Sequence, residues 1–252
     1  MSERRHASSA VRIVVRELAP AVGIGRRRLK RHPAWTDTGG APGNGLGVVV
    51  VPGFGGVDAS MAVLRRWLRA RDYRPVGAEL GLNLGCTSEL VARLERRMEL
   101  HARATDGPVV LIGHSRGGWL GRLVAVRRPD LVRGLVMLGS PVLNPLGARA
   151  VVRLAGRALV GLSALGVRGV LDRDCMAGTC GDATVAGLAA PLLPDVPAVS
   201  FYSRSDGVVR WELCLDPAAE CVEVGSSHAG MGIDPDFYAA LAPRLATWAT
   251  TS

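Results

Sequence analysis

The chain has 252 residues, enough for one large domain with a sizeable core, and its 48% hydrophobic and 21% charged composition is that of a globular protein. The net charge of +9 is concentrated at one end: nine basic residues stand against two acids up to His32, and the rest of the chain carries only +2. A nearly neutral body lacks the basic footprint of a nucleic-acid binder, so no nucleic-acid partner is expected and the basicity belongs to an N-terminal arm over residues 1–45.

Within the arm, the stretch Val11–Gly25 is broken by Arg12, Arg16, Glu17 and Pro20, which does not fit the uninterrupted apolar core of a secretory signal. The longest helical apolar run, Ala158–Val167, falls short of the roughly 18 residues that a membrane span requires. A cytoplasmic location is therefore predicted. Two roles for the arm stay open. It packs on the domain as a helix with solvated arginines, or it makes weak contact with an anionic membrane surface through Arg26, Arg27, Arg28, Lys30 and Arg31.

Beyond the arm, strands alternate with helices, the signature of a mostly parallel sheet flanked by helices. Gly47–Val51 is a β-branched run suited to a strand buried on both faces. A helix follows over Ala59–Arg71, with Met61, Leu64, Trp67 and Leu68 at helical spacing and Asp58 as its N-cap. Arg74–Leu80 reads as a strand. Ser88–Ala104 reads as a helix with the stripe Leu90, Val91, Leu94, Met98 and His101. Pro108–Gly113 is the next buried strand, and Arg116–Arg128 a helix stopped by Pro129. Strands are predicted at Gly134–Gly139, Ala198–Ser203 and Glu220–Gly225, and a last helix runs from Pro235 to about Ala249.

Between residues 141 and 194 the rhythm breaks. Helical patterns at Ala148–Leu159 and Leu162–Leu171, a cysteine-bearing loop and a short helix near Thr184–Ala190 predict a helical cap, inserted into a core formed by residues 46–140 and 195–252. The plainer alternative is an elaborated crossover connection. Cys86, Cys175, Cys180, Cys214 and Cys221 contain no C-x-x-C spacing. The pairs 175/180 and 214/221 are close enough to form small rings, but free thiols are the expectation for a cytosolic chain, and no metal or cofactor is expected.

The chemistry concentrates in Val109–Gly118. Gly113-His114-Ser115-Arg116-Gly117 matches G-x-S-x-G between a strand and a helix, where a serine sits on a turn too sharp for side chains two residues to either side. A serine hydroxyl needs a base to take its proton. Of five histidines, His6 and His32 lie in the arm, His101 lies on a helix stripe, and His114 adjoins the serine on so tight a turn that its side chain points elsewhere. His228 remains, in a loop after the last strand. Asp206 follows the strand ending near Ser203 and is the acid for that base, with Asp216 and Asp234 as weaker rivals. Asp206 as a mere helix cap and His228 as a surface-loop residue are the plain alternatives. Backbone N–H groups of Arg116 and of Phe54, in the glycine-rich turn Pro52–Gly56, are placed to receive an oxyanion.

The segments VVVVPGFGG, LIGHSRGG, SRSDGVV and SSHAGMG, in this order, resemble bacterial α/β-hydrolases of the lipase and esterase kind, over about residues 46–248. The resemblance implies the α/β-hydrolase fold and hydrolysis of carboxylic esters, or of thioesters, through an acyl-enzyme on Ser115, without fixing the substrate. The apolar residues of the predicted cap, Leu154, Leu159, Val160, Leu162, Leu165 and Val170, point to a small-molecule ester of an apolar acyl group. Thioester cleavage or acyl transfer with the same three residues is the enzymatic alternative. A non-catalytic binding protein on this fold is the alternative of another class. Two departures stand out: the residues before Gly47 do not read as the two leading strands of many members, and Arg116 is a bulky cation beside the serine, biasing the pocket or snorkelling outward.

Overall fold

A computed structural model describes residues 20–37, 43–145 and 150–250. The first nineteen residues of the arm and the start of the helix expected at Ala148 lie outside the described residues. Six strands form one sheet: β1 (Gly47–Val51), β2 (Arg74–Gly77), β3 (Val109–His114), β4 (Val132–Leu138), β5 (Ala198–Tyr202) and β6 (Glu220–Glu223). Their order is β2-β1-β3-β4-β5-β6, and every pairing is parallel. Among the described residues no strand precedes β1, and β2 forms the edge on that side.

Parallel strands need crossovers, and the helices that supply them cover both faces. Along β1 the valines divide by parity. Val49 and Val51 join the core on one face with Leu94, Met98, Leu120 and Val124, while Val48 and Val50 join Leu64, Trp67, Phe237 and Leu241 on the other. The first face is closed by α4 (Thr87–Ala104) and α5 (Arg116–Arg127). The second is closed by α3 (Ala62–Arg69) and α9 (Pro235–Thr250), preceded in the chain by α1 (Pro20–Arg31) and α2 (Pro33–Thr36).

The described part of the arm is not a free segment. Leu29 on α1 is buried in the second core, the Trp67 indole donates to the Ala34 carbonyl at 2.7 Å, and Trp35 meets Tyr238 edge-on at 6.0 Å. Arg26, Arg27, Arg28, Lys30 and Arg31 are exposed.

Several boundaries differ from expectation. Asp58 does not cap the following helix; it opens a short 3-10 turn, and its carboxylate accepts from the N–H groups of Ala78 and Glu79, at 3.2 and 3.1 Å. Those contacts end β2 at Gly77, and Glu79 then turns with a positive φ of 56°. In the inserted segment, α6 (Ala150–Ala164) runs straight through Gly161, and no helix continues to Leu171 because Gly166 and Gly169 take positive φ values of 89° and 77°. Two further helices follow, α7 (Arg173–Ala177), capped by the Asp172 carboxylate, and α8 (Thr179–Ala189), which starts five residues before the expected Thr184. Leu188 of α8 packs into the first core.

Candidate active site

The chain leaves β1 toward β2 on one side and returns to β3 on the other, so the C-terminal ends of β1 and β3 flank the point where strand order reverses. Ligands of open parallel sheets bind at such a point. A cavity of about 590 Å³ lies there, walled by Gly53 and Phe54 after β1, by Ser115 and Arg116 after β3, and by His228.

Ser115 has φ 52° and ψ −120°, a sparsely populated conformation for an L-residue that stores of order 1–3 kcal/mol. Neighbours enforce it. Its N–H donates to the Leu138 carbonyl at the end of β4, at 2.7 Å. A Cβ on Gly113 would collide with the Gly117 carbonyl oxygen, and one on Gly117 would lie 2.5 Å from the carbonyl oxygens of Val51 and Pro52. Glycine at both positions lets β3, α5 and the end of β1 meet. The turn after β1 is equally close, because a Cβ on Gly53 would sit 3.2 Å from the Ser115 Cβ. Arg116 opens α5, where the first N–H groups of a helix lack intrahelical partners.

His228 is buried, not on the surface, and its Nδ1 lies 2.6 Å from Asp206 Oδ2. The other Asp206 oxygen accepts from the N–H groups of Val208 and Val209, at 2.8 and 2.7 Å. One carboxylate therefore caps its own loop and holds the imidazole. The rival acids are engaged elsewhere: buried Asp216 pairs with Arg122 at 2.5 Å, and Asp234 accepts from the Asp236 N–H at 2.9 Å.

Two supports had no clear signal in the sequence. His114 does not point away from the site. Its ring centroid lies 4.7 Å from that of His228, and its Nε2 is 3.0 Å from the His228 carbonyl oxygen, so Nε2 carries the proton and donates. What surface His114 exposes belongs to the cavity wall, and burial pushes its pKa down to about 4, with the neighbouring His228 adding to the effect. It is neutral at physiological pH. The second support is Asn83, fully buried, whose side-chain amide donates to the Pro52 carbonyl and whose own carbonyl accepts from the Gly55 N–H, at 2.8 and 3.2 Å. It fixes the turn that carries Phe54.

The Arg116 side chain does not snorkel outward. It is buried, donates to the carbonyls of Asn83 and Gly85 at 3.1 and 2.7 Å and to the Thr87 hydroxyl at 3.3 Å, and lies against the rings of Phe54 and Trp119. Burial pulls its pKa down to about 10, opposed by the nearby thiols of Cys175, Cys86 and Cys180, so the guanidinium stays charged at neutral pH.

The cavity extends under the inserted segment, whose Leu171, Cys175, Met176, Thr184 and Val185 contribute to its wall, and Arg26 of α1 reaches the same space. Among the described residues no helix is long and apolar enough to cross a membrane.

Strand order, crossovers and the serine turn after β3 define the α/β-hydrolase fold, and comparison with solved structures bears this out. The lipase BlEst2 of Bacillus licheniformis in its mature form aligns with TM-score 0.59 and 15% identity, over 83% of this chain and 93% of that one. A structure described under LipS and LipT, two metagenome-derived lipolytic enzymes, aligns with TM-score 0.56 and 21% identity, over 84% and 96%. The thioesterase domain from the curacin biosynthetic pathway aligns with TM-score 0.53 and 17% identity, over 82% and 93%. No protein-family model matches the chain, and no curated protein matches it in sequence.

Proposed function

We propose that the chain is a serine hydrolase that cleaves carboxylic esters of apolar acyl groups through an acyl-enzyme. The observation that carries this reading is the 2.6 Å contact of Asp206 Oδ2 with Nδ1 of His228, a histidine that shares its cavity with a serine held at φ 52°. With Nδ1–H committed to the carboxylate, Nε2 is the basic nitrogen.

In the proposed reaction the Ser115 hydroxyl attacks the ester carbonyl and its proton passes to His228 Nε2. Asp206 stabilises the imidazolium, and the oxyanion accepts from the N–H groups of Arg116 and Phe54, each donor contributing about 3 kcal/mol to the transition state. The imidazolium then protonates the departing alcohol, and water releases the acyl group by the same steps in reverse order. Residues 141–194 act as a cap over an apolar acyl site, in keeping with the Leu171, Met176 and Val185 walls.

The test is labelling with a fluorophosphonate followed by peptide mass spectrometry, beside a panel of p-nitrophenyl esters and acyl-thioesters. Modification of Ser115 alone, with ester turnover lost in Ser115→Ala, is the expected result. A label on another residue, or full turnover in Ser115→Ala, rejects the proposal, and turnover of thioesters alone moves the reading to a thioesterase.

A further inference from the structure

Three of the five cysteines converge beside the cavity although they are remote in the chain. Cys86 immediately precedes α4, Cys175 lies in α7 and Cys180 in α8. Cys86 and Cys180, 94 residues apart in sequence, have their sulfurs 3.6 Å apart, Cys180 and Cys175 have theirs 3.7 Å apart, and all three sulfurs fall within 4.8 Å of one another. We propose that Cys86, Cys175 and Cys180 form a three-thiolate site for a thiophilic metal ion of the Zn²⁺ class, which fastens the inserted helices to the core.

The spacing fits. Zinc–sulfur bonds of about 2.3 Å in tetrahedral geometry set the sulfurs roughly 3.8 Å apart. Two of the three separations already match, and the third needs only a small side-chain adjustment. Soft sulfur ligands select zinc or monovalent copper over calcium or magnesium. A divalent ion with three thiolates carries a net charge of −1, and the Arg116 guanidinium lies over the ring of Phe54, which packs against the same cysteines. Arg116 is buried, takes only carbonyl and hydroxyl acceptors, and makes no ion pair among the described residues. A metal–thiolate centre supplies the counter-charge.

The surroundings position the ligands. The Asp172 carboxylate accepts from the Cys175 N–H at 2.9 Å, the Asp174 carboxylate from the Cys180 N–H at 3.2 Å, and the Ser88 hydroxyl lies 3.1 Å from the Cys180 sulfur. Such outer contacts orient metal ligands. Leu171, Leu159 and Phe54 pack around the sulfurs. The fourth coordination position falls to water or a small exogenous ligand.

The experiment uses the full chain, reduced and kept anaerobic. Cd²⁺ is added while thiolate-to-metal charge-transfer absorption is followed, and Zn²⁺ affinity is measured by competition with a chromophoric chelator. One equivalent per chain is expected, with affinity lowered more than about a hundredfold by Cys86→Ser, Cys175→Ser or Cys180→Ser and unchanged by Cys214→Ser or Cys221→Ser. No charge-transfer band in the parent protein, or equal affinity in the three variants, overturns the site. Should a variant fail to fold, alkylation of the parent protein decides: Zn²⁺ must protect Cys86, Cys175 and Cys180 and leave Cys221 reactive. Labelling of all three at the metal-free rate overturns it. Neither readout depends on ester turnover, so this site and the proposed reaction stand or fall separately.

Discussion

His114 donates through Nε2 to the main-chain carbonyl of His228, 3.0 Å away, while the two rings lie 4.7 Å apart. The residue next to the serine thus fixes the loop carrying His228, and its low pKa leaves it uncharged beside that ring. The stability consequence has a definite sign. A histidine depressed from about 6.5 to about 4 binds fewer protons folded than unfolded in that window, so stability is full above pH 6.5 and falls as pH drops toward 4. The contribution is on the order of 3 kcal/mol at most. His101, also depressed by burial, acts in the same direction. His114→Gln keeps a donor for the His228 carbonyl and removes the titration. The expected outcome, read from urea unfolding at a series of pH values, is a shallower acid limb than in the parent protein.

Asp206 divides its oxygens between the loop and the imidazole, so Asp206→Asn separates the two functions. The amide oxygen can still accept from Val208 and Val209, but the amide nitrogen facing His228 favours the wrong tautomer. The expected loss in kcat is about four orders of magnitude with little change in Tm. A loss below tenfold, measured on an ester the parent protein turns over, would assign the base another partner.

Arg122 and Asp216 form a buried ion pair that also takes in the Ala190 carbonyl and the Ala218 N–H, tying α5 to the segments before β5 and β6. Removing one member strands the other charge away from water. Asp216→Ala is expected to destabilise by about 3–5 kcal/mol, seen as a lowered denaturation midpoint, while the residual folded protein keeps its fluorophosphonate reactivity.

Leu29 anchors α1 in the second core, so Leu29→Ala is expected to cost about 2–5 kcal/mol in a denaturant titration. Deleting residues 1–32 would remove that anchor together with the charges. The proposed contact with an anionic membrane surface is better tested by Arg26, Arg27 and Arg28→Gln, which leaves Leu29 in place. Salt-sensitive sedimentation with phosphatidylglycerol vesicles should weaken in that variant, and an unchanged binding curve would count against the contact.

What could be read from the sequence was local or periodic. The valines of β1, the stripe of α4 and the glycines around Ser115 each announce their structure within a few residues. Asp206 and His228 could be named because each follows a strand in a parallel array, which brings distant segments to one sheet edge. The remainder depends on contacts between remote segments. Asp58 looked like a helix cap because its true acceptor role is toward Ala78 and Glu79 across the sheet edge. Backbone geometry alone turns His114 away from the site, whereas the space its ring enters is set by the loop of His228. Asn83 has no motif around it, and the three converging cysteines show no spacing because one of them comes from the core and two from the insertion.

Leu138 and Gly139, at the end of β4, hold the serine turn on one side and receive β5 on the other: the Leu138 carbonyl accepts from Ser115, and the Gly139 N–H donates to Phe201 at 2.8 Å. During synthesis β4 emerges well before β5, with the whole inserted segment between them. Until that segment and β5 have left the ribosome, β4 presents an open, apolar edge containing Leu135 and Met137, the kind of edge that pairs with other chains. A nascent chain halted in the insertion already holds Ser115 but neither Asp206 nor His228. The exposed edge and the unassembled site therefore share one interval of translation, which closes as β5 and then β6 dock.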